Sequence, residues 1–315
     1  MHLLAWLGHR AIAALAAGAI VGVLVPQLAA FLQRILPELI FLFTILSLLT
    51  VNRRSILPPR GEWPLPWVMI IWSIVATPLL VGLILLIPVF PSGLSQAIMI
   101  WAVSPPMTAA IIFAKMLELD TSLALSVSTT SIMIVPVSGP LLYFCLAERS
   151  VRFNSLLIAG HVCVFITIAL LATYLFARLF GSRRISRIVP QLNGCAVLIL
   201  VAYSNALTSG VSEAFSRSPW RVTVFLLVAF SANLIVQCLT FCIFFKFGVK
   251  CRMTCALLAG NRNMSILCAN LGSALTPDLM LFFAISHIPT YTLPWLFRRV
   301  YTSTMSGHGD NQCSH

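Results

Sequence analysis

From 258 to 265 the chain reads Leu258-Ala259-Gly260-Asn261-Arg262-Asn263-Met264-Ser265, in the middle of an apolar stretch running from 252 to 275. An arginine at the centre of a membrane span costs about 2.5–3.5 kcal/mol on insertion scales, and two flanking asparagines add to that. No apolar packing need accounts for three adjacent polar residues after a glycine. Two readings stand: a functional site, or a structural tie in which Arg262 bonds backbone carbonyls of neighbouring helices. A second interruption, Ala102-Val103-Ser104-Pro105-Pro106-Met107-Thr108, lies at the midpoint of the stretch 95–117. Each proline lacks an amide hydrogen and crowds the carbonyl four residues back. The carbonyls of Trp101 and Ala102 therefore lose their helical donors. Lipid cannot supply replacements, so irregular backbone at that depth must face protein or a wet cavity.

The rest of the chain makes the membrane setting plain. Its 315 residues are 59% hydrophobic and only 9% charged, where an ordinary soluble domain is about 25% charged. A soluble enzyme, a nucleic-acid binder and a secreted disulfide scaffold are all excluded as readings. The net charge of +12 sits in short clusters between long apolar runs, so it calls for no nucleic acid. The cysteines fall mostly inside those runs without a CxxC pair and read as small apolar filler.

Ten apolar stretches are long enough to consider as spans: 11–33, 36–52, 64–90, 95–117, 120–147, 155–180, 187–210, 219–247, 252–275 and 277–299. The second is short, and Gln191, Asn193 and Asn205 weaken the seventh, leaving nine spans as the other reading. With a cytoplasmic N-terminus, the inner connections hold Arg10, Arg53, Arg54, Arg60, Lys115, Arg178, Arg183, Arg184, Arg187, Lys246, Lys250, Arg252, Arg298 and Arg299. The outer ones hold only Arg34, Arg149, Arg152, Arg217 and Arg221. The bias predicts both termini inside. Residues 1–302 read as one transmembrane domain, and the polar segment 303–315 as a disordered tail.

The two interruptions occupy matching places. Trp67 precedes Pro105 by nearly the interval that separates Trp220 from Arg262, and each break is followed by a span carrying two prolines, Pro136 and Pro140 or Pro289 and Pro294. Five spans per half is an odd number, which inverts the second half in the membrane. Inverted halves with paired discontinuous helices are the sequence pointer to a secondary transporter's midplane site. Half-helix N-termini carry partial positive charge, and Arg262 supplies a full one, so the expected pocket favours anions.

The segment Ser104–Pro140 (SPPMTAAIIFAKMLELDTSLALSVSTTSIMIVPVSGP) resembles the fourth and fifth helices of the bile acid:sodium symporter family, and Ala259-Gly260-Asn261-Arg262-Asn263-Met264 resembles the broken ninth helix of its bacterial members. The resemblance implies an all-α fold of ten helices in two inverted five-helix repeats, with helices 4 and 9 discontinuous and crossing. It implies a panel of helices 1, 2, 6 and 7 (about 11–52 and 155–210) against a core of helices 3–5 and 8–10 (about 64–147 and 219–299). It implies organic-anion substrates such as bile acids and other carboxylates, usually coupled to sodium. The family's sodium-binding Ser and Thr at the start of helix 5 match Ser126 and Thr130, and a helix 3 glutamine of some members falls near Ser73. Its Ser-Asn pair after the helix 4 break falls near Ile111 to Phe113 and is lost. In helix 9 the family's acid aligns with Leu258 and its glutamine with Arg262.

These departures argue against classical two-sodium coupling. The eight acids Glu38, Glu62, Glu118, Asp120, Glu148, Glu213, Asp278 and Asp310 all lie at span edges or in connections, so a sodium site would rest on hydroxyls and carbonyls. The expected function is movement of a small organic anion across the inner membrane by alternating access, with altered or absent sodium coupling, no other cofactor and no catalysis. Substrate contacts are expected from Ser104, Pro105, Pro106, Thr108, Asn261, Arg262 and Asn263. Further pocket-lining residues are expected at Asn193, Asn205, Asn233, Gln237 and His287, with interhelical bonding the competing role for Asn233 and Gln237. His161 and His287 are the residues that a proton-coupled carrier would use. Asp120 is expected to cap helix 5. The alternative function is export of arsenite or another metalloid on the related fold, with Cys251 and Cys255 sharing a face as candidate thiols and sensitivity to Cys255 or Cys268 replacement expected. An intramembrane protease would need paired aspartates, a Ser–His dyad or HExxH, and neither paired acids nor HExxH occurs.

Overall fold

In lipid a spanning segment must satisfy its own backbone polar groups, which leaves the helix as the form for long apolar runs. The computed structural model describes residues 18, 21–22, 24–50, 64–146, 155–208, 210–271 and 275–298, and among them the regular structure is helical. The helices are α1 Pro26–Arg34, α2 Leu36–Thr50, α3 Pro64–Leu85, α4 Ser92–Val103, α5 Ala110–Met116, α6 Thr121–Leu146 and α7 Ser155–Phe180. They continue with α8 Ser182–Leu207, α9 Val211–Arg217, α10 Pro219–Ile243, α11 Val249–Gly260, α12 Met264–Cys268 and α13 Pro277–Leu296.

Among the described residues six helices are long and apolar enough to cross a membrane, or seven if α1 and α2, bent by 70° at their junction, make one span. By length and composition this is a multi-pass membrane protein. The count falls short of the ten stretches for identifiable reasons. The stretches 95–117 and 252–275 are each two short helices, α4 with α5 and α11 with α12. Positions 11–17, 19–20 and 23 of the stretch 11–33 lie outside the described residues, as do the tail 303–315 and the cations Arg10, Arg53, Arg54 and Arg60.

Packing falls into two groups. α1, α2, α7 and α8 pack on one another, and α3, α4, α5, α6, α10, α11 and α13 pack on one another; α6–α7 and α8–α13 join the groups. In the first group Gly18 and Gly22 let the chain before α1 approach α8 closely. A Cβ at Gly18 would stand 2.8 Å from the Val201 carbonyl oxygen, and one at Gly22 would stand 2.7 Å from that of Asn205. Small residues four apart serve such close approach in membranes.

Burial is greatest in the broken helices. α11 is buried from Met253 to Gly260 and α12 along its whole length, while α3 and α7 turn Leu79, Leu83, Leu171 and Leu175 outward. Asp120 caps α6 as its position predicts: its Oδ1 accepts the Leu123 amide at 2.9 Å. Its own amide donates to Thr254 Oγ1 at 3.1 Å, tying the α5–α6 turn to α11. At the opposite edge an Arg221–Asp278 ion pair joins the starts of α10 and α13. Cys251 is disulfide-bonded, a correction to the reading of every cysteine as filler, while Cys255 and Cys268 are free thiols.

Candidate functional site

The two interruptions meet. Pro106 and Arg262 form an antiparallel bridge. The Met107 amide donates to the Asn261 carbonyl at 2.8 Å, and the Asn263 amide donates to the Pro105 carbonyl at 2.7 Å. Each break thus supplies the donors the other lost, which is how non-helical backbone survives at this depth. Within α4 the Trp101 carbonyl, deprived by Pro105, takes the Ser104 amide at 3.2 Å. Ser104 Oγ donates to the Ile100 carbonyl at 2.7 Å.

Arg262 lies at the centre of this crossing, 2% exposed. Its Nε donates to the Ala259 carbonyl at 2.7 Å, and its Nη1 donates to the carbonyls of Ser73 at 2.7 Å and Ser104 at 3.1 Å. Its Cζ is 5.9 Å from the centre of the Trp101 ring, inside cation–π range. Its Nη2 is buried without a hydrogen-bond partner among the described residues. The structural tie is therefore present but incomplete: two nitrogens hold three helices together and the third has no partner among the described residues.

Each of these three carbonyls lost its helical donor for its own reason. The Asn263 amide, due to Ala259, has gone to Pro105. Ser104 sits in extended backbone just past the end of α4. Ser73 lies in a π-helical turn, Trp72–Ala76, within α3. There the Thr77 amide reaches back to Trp72, and Pro78, next in line for Ser73, has no N–H to give. Such single π turns are frequent at functional sites. Returning an N–H at that position should partly spare the arginine. We expect Pro78→Ala to recover about 0.5–1.5 kcal/mol of the stability that Arg262→Met loses, in a double-mutant cycle of SDS-induced unfolding. Strict additivity would show that Ser73 gains nothing from the proline's removal.

The remaining expected residues divide. Asn233 Nδ2 donates to the Gly260 carbonyl at 2.9 Å and lies 3.5 Å from Asn261 Oδ1, while Gln237 Nε2 donates to Asn233 Oδ1. These two side chains brace the end of α11. Asn261 is spent in the same way, its Nδ2 donating to the Leu257 carbonyl at 2.8 Å. Thr108 is half-buried and Asn263 buried at the crossing. Ser73 Oγ is buried without a partner among the described residues. Ser126 is buried and Thr130 half-buried on α6, which packs on the π turn, α4 and α11. The Asn205 backbone packs against Gly22 and its carbonyl accepts the Thr208 hydroxyl, while its Oδ1 is buried without a hydrogen-bond partner among the described residues. Asn193 is half-buried about three turns before it, and His161 is exposed on α7.

Two expectations need correction. The half-helices that follow the breaks, α5 and α12, have 7 and 5 residues. A macrodipole scales with aligned peptides, so the positive charge at the crossing is essentially the guanidinium's. Ser104 and Asn261 are only partly open polar contacts, because the Ser104 hydroxyl hydrogen and one Asn261 amide hydrogen are engaged with the backbone.

Tyr203 was not anticipated. Its hydroxyl is 2.9 Å from His287 Nε2 and 2.7 Å from Ser265 Oγ, joining α8 to α13 and α12. The only hint in the sequence is its place in the polar run Tyr203-Ser204-Asn205 within an apolar span. No three His, Cys, Asp or Glu side chains cluster among the described residues. The cation ligands the crossing offers are carbonyl oxygens, and the guanidinium occupies them. Compared with models of known protein families and with curated proteins, the sequence matches none.

Proposed function

We propose that the chain is a secondary transporter that carries a small organic anion across the inner membrane by alternating access, in the manner of the bile acid:sodium symporters. In this reading it has ten spans in two inverted halves with both termini inside. The panel α1, α2, α7 and α8 rocks against the remaining helices around a fixed crossing. The observation that carries the reading is the Pro106–Arg262 bridge with a buried guanidinium inside it. A soluble or purely structural helix bundle has no need to break two helices and place a full charge where they touch. The uncommitted Nη2 is the electrophilic end of the seat. An anionic oxygen there would complete the guanidinium's hydrogen bonding and neutralise its charge.

The same geometry speaks to coupling. Carbonyl oxygens of Ser73, Ser104 and Ala259 converge on one cation, and that cation is covalently part of the chain. Transport is therefore independent of sodium. Uptake of a bile acid into vesicles reconstituted with the protein is expected to be unchanged when choline replaces sodium, and its complete loss would overturn this. A thermal-shift screen of the purified protein against organic anions is expected to show stabilisation that Arg262→Ala abolishes.

A further inference from the structure

With sodium set aside, the driving ion is an open question, and the hydrogen bonds of His287 bear on it. His287 is buried on α13, with Nδ1 2.7 Å from the Phe283 carbonyl. A carbonyl only accepts, so Nδ1 carries the hydrogen. In the neutral ring Nε2 then holds the lone pair, and it accepts from the Tyr203 hydroxyl. Tyr203 accepts in turn from Ser265 Oγ–H. The chain Ser265 → Tyr203 → His287 → Phe283 runs from the short half-helix beyond the Arg262 break, through the panel-side helix α8, to α13. It therefore spans the boundary that must slide if the two groups of helices rock.

We infer that His287 binds the co-transported proton and that Tyr203 converts this protonation into a change of the α8–α13 contact. This rests on the transporter reading above and names its coupling ion. A proton from water on the open side forms an N–H bond with the Nε2 lone pair. Nε2 then donates to Tyr203, whose own hydrogen must turn toward Ser265, releasing the Ser265 hydroxyl from donating. The two links through Tyr203 reverse their polarity while Nδ1 keeps donating to the Phe283 carbonyl, and α13 gains one positive charge, matched by one negative charge on the solute.

The surroundings single out this residue. α4 carries no ionisable side chain, and on α10 Arg221 is paired with Asp278 while Cys238 and Cys242 face outward. Glu213 and Arg217 of α9 pair with each other on the surface. Arg184 and Arg187 of α8 are exposed near its far end. Tyr291, Cys268 and Tyr203 are the ionisable neighbours, all neutral near pH 7. The guanidinium of Arg262 is turned to Ser73, Ser104 and Ala259. Among the described acids none reaches the interior, so no carboxylate competes for the proton.

Taurocholate is a suitable probe, because its sulfonate stays ionised and carries no proton itself. In vesicles containing the full chain and a pH-sensitive dye, an inward proton gradient is expected to accelerate its uptake, with acidification of the lumen. In His287→Gln, which keeps an acceptor for Tyr203 but takes no proton, uptake becomes independent of the gradient and the dye signal disappears. Uptake by the wild type without proton movement, or a dye signal surviving in His287→Gln, would overturn the inference while leaving anion transport standing. A second readout needs no solute: amide exchange of 200–208 on α8, corrected for intrinsic pH dependence, should rise between pH 8 and pH 5.5 in the wild type and stay flat in Tyr203→Phe and His287→Gln. A flat wild-type profile overturns the inference whatever the uptake shows. Absence of taurocholate uptake in every chain counts against the transport reading, and the exchange profile still decides the role of His287.

Discussion

Arg262→Met is expected to unfold at lower SDS than the wild type, with a net loss of about 1–3 kcal/mol, because hydrogen-bonded carbonyls lose their charged donor while the cost of burying a charge is relieved. Methionine has nearly the reach and volume of arginine but no N–H, so the variant tests hydrogen bonding rather than cavity formation. The carbonyls of Ser73, Ser104 and Ala259 would all lose their donor together. A buried backbone group left unpaired costs about 1–3 kcal/mol. Against this stands the relief of no longer burying a charge, which does not offset three orphaned acceptors. Arg262→Lys should recover only part, because one ammonium lacks the planar fork that reaches carbonyls on three helices. A methionine variant as stable as the wild type would show that the guanidinium does not hold the crossing together, and would leave it free to serve the solute alone.

Gly260→Val is expected to do comparable damage by a different route. A Cβ at Gly260 would stand 2.5 Å from Gln237 Cγ and 2.7 Å from Asn233 Oδ1, closer than real Cβ atoms come. α10 and α11 would have to separate where Asn233 holds the Gly260 carbonyl at 2.9 Å. Overpacking costs about 1–3 kcal/mol, and the lost hydrogen bond adds about 1 kcal/mol. Because the strain lands on the last turn before Asn261, anion uptake should fall further than stability does. Gln237→Ala in the same chain removes the nearest obstacle, and it should restore part of both. If the double variant behaves like Gly260→Val alone, the obstruction lies at the Asn233 side chain and not at Gln237.

Much of the architecture was legible before any coordinates. Gly260-Asn261-Arg262-Asn263 and Ser104-Pro105-Pro106 announce breaks because a proline withholds an N–H and a membrane taxes an arginine, whatever surrounds them. Asp120 announces a cap because an acid at a helix start has one inexpensive use. Less could be read of the partners. The acceptors of Arg262 are main-chain oxygens, which carry no residue-type signature, and the Ser73 carbonyl becomes available only because a π turn and Pro78 coincide. Asn205 and Asn233 look alike as polar residues in apolar spans, yet one lies against Gly22 and the other braces Gly260. Helical phase relative to a neighbouring helix separates them, and that phase is a property of packing.

The amino-acid order therefore determined where this chain enters lipid, where its helices must fail and where an unavoidable charge lies, since those follow from local covalent chemistry and transfer costs. Tertiary structure alone decided that the two failures repair each other, that the guanidinium spends two of its nitrogens on carbonyls and keeps one, and that Tyr203 links His287 to Ser265. Those outcomes depend on directions and distances between segments remote in the chain, and a donor is committed or free only once its neighbours are in place.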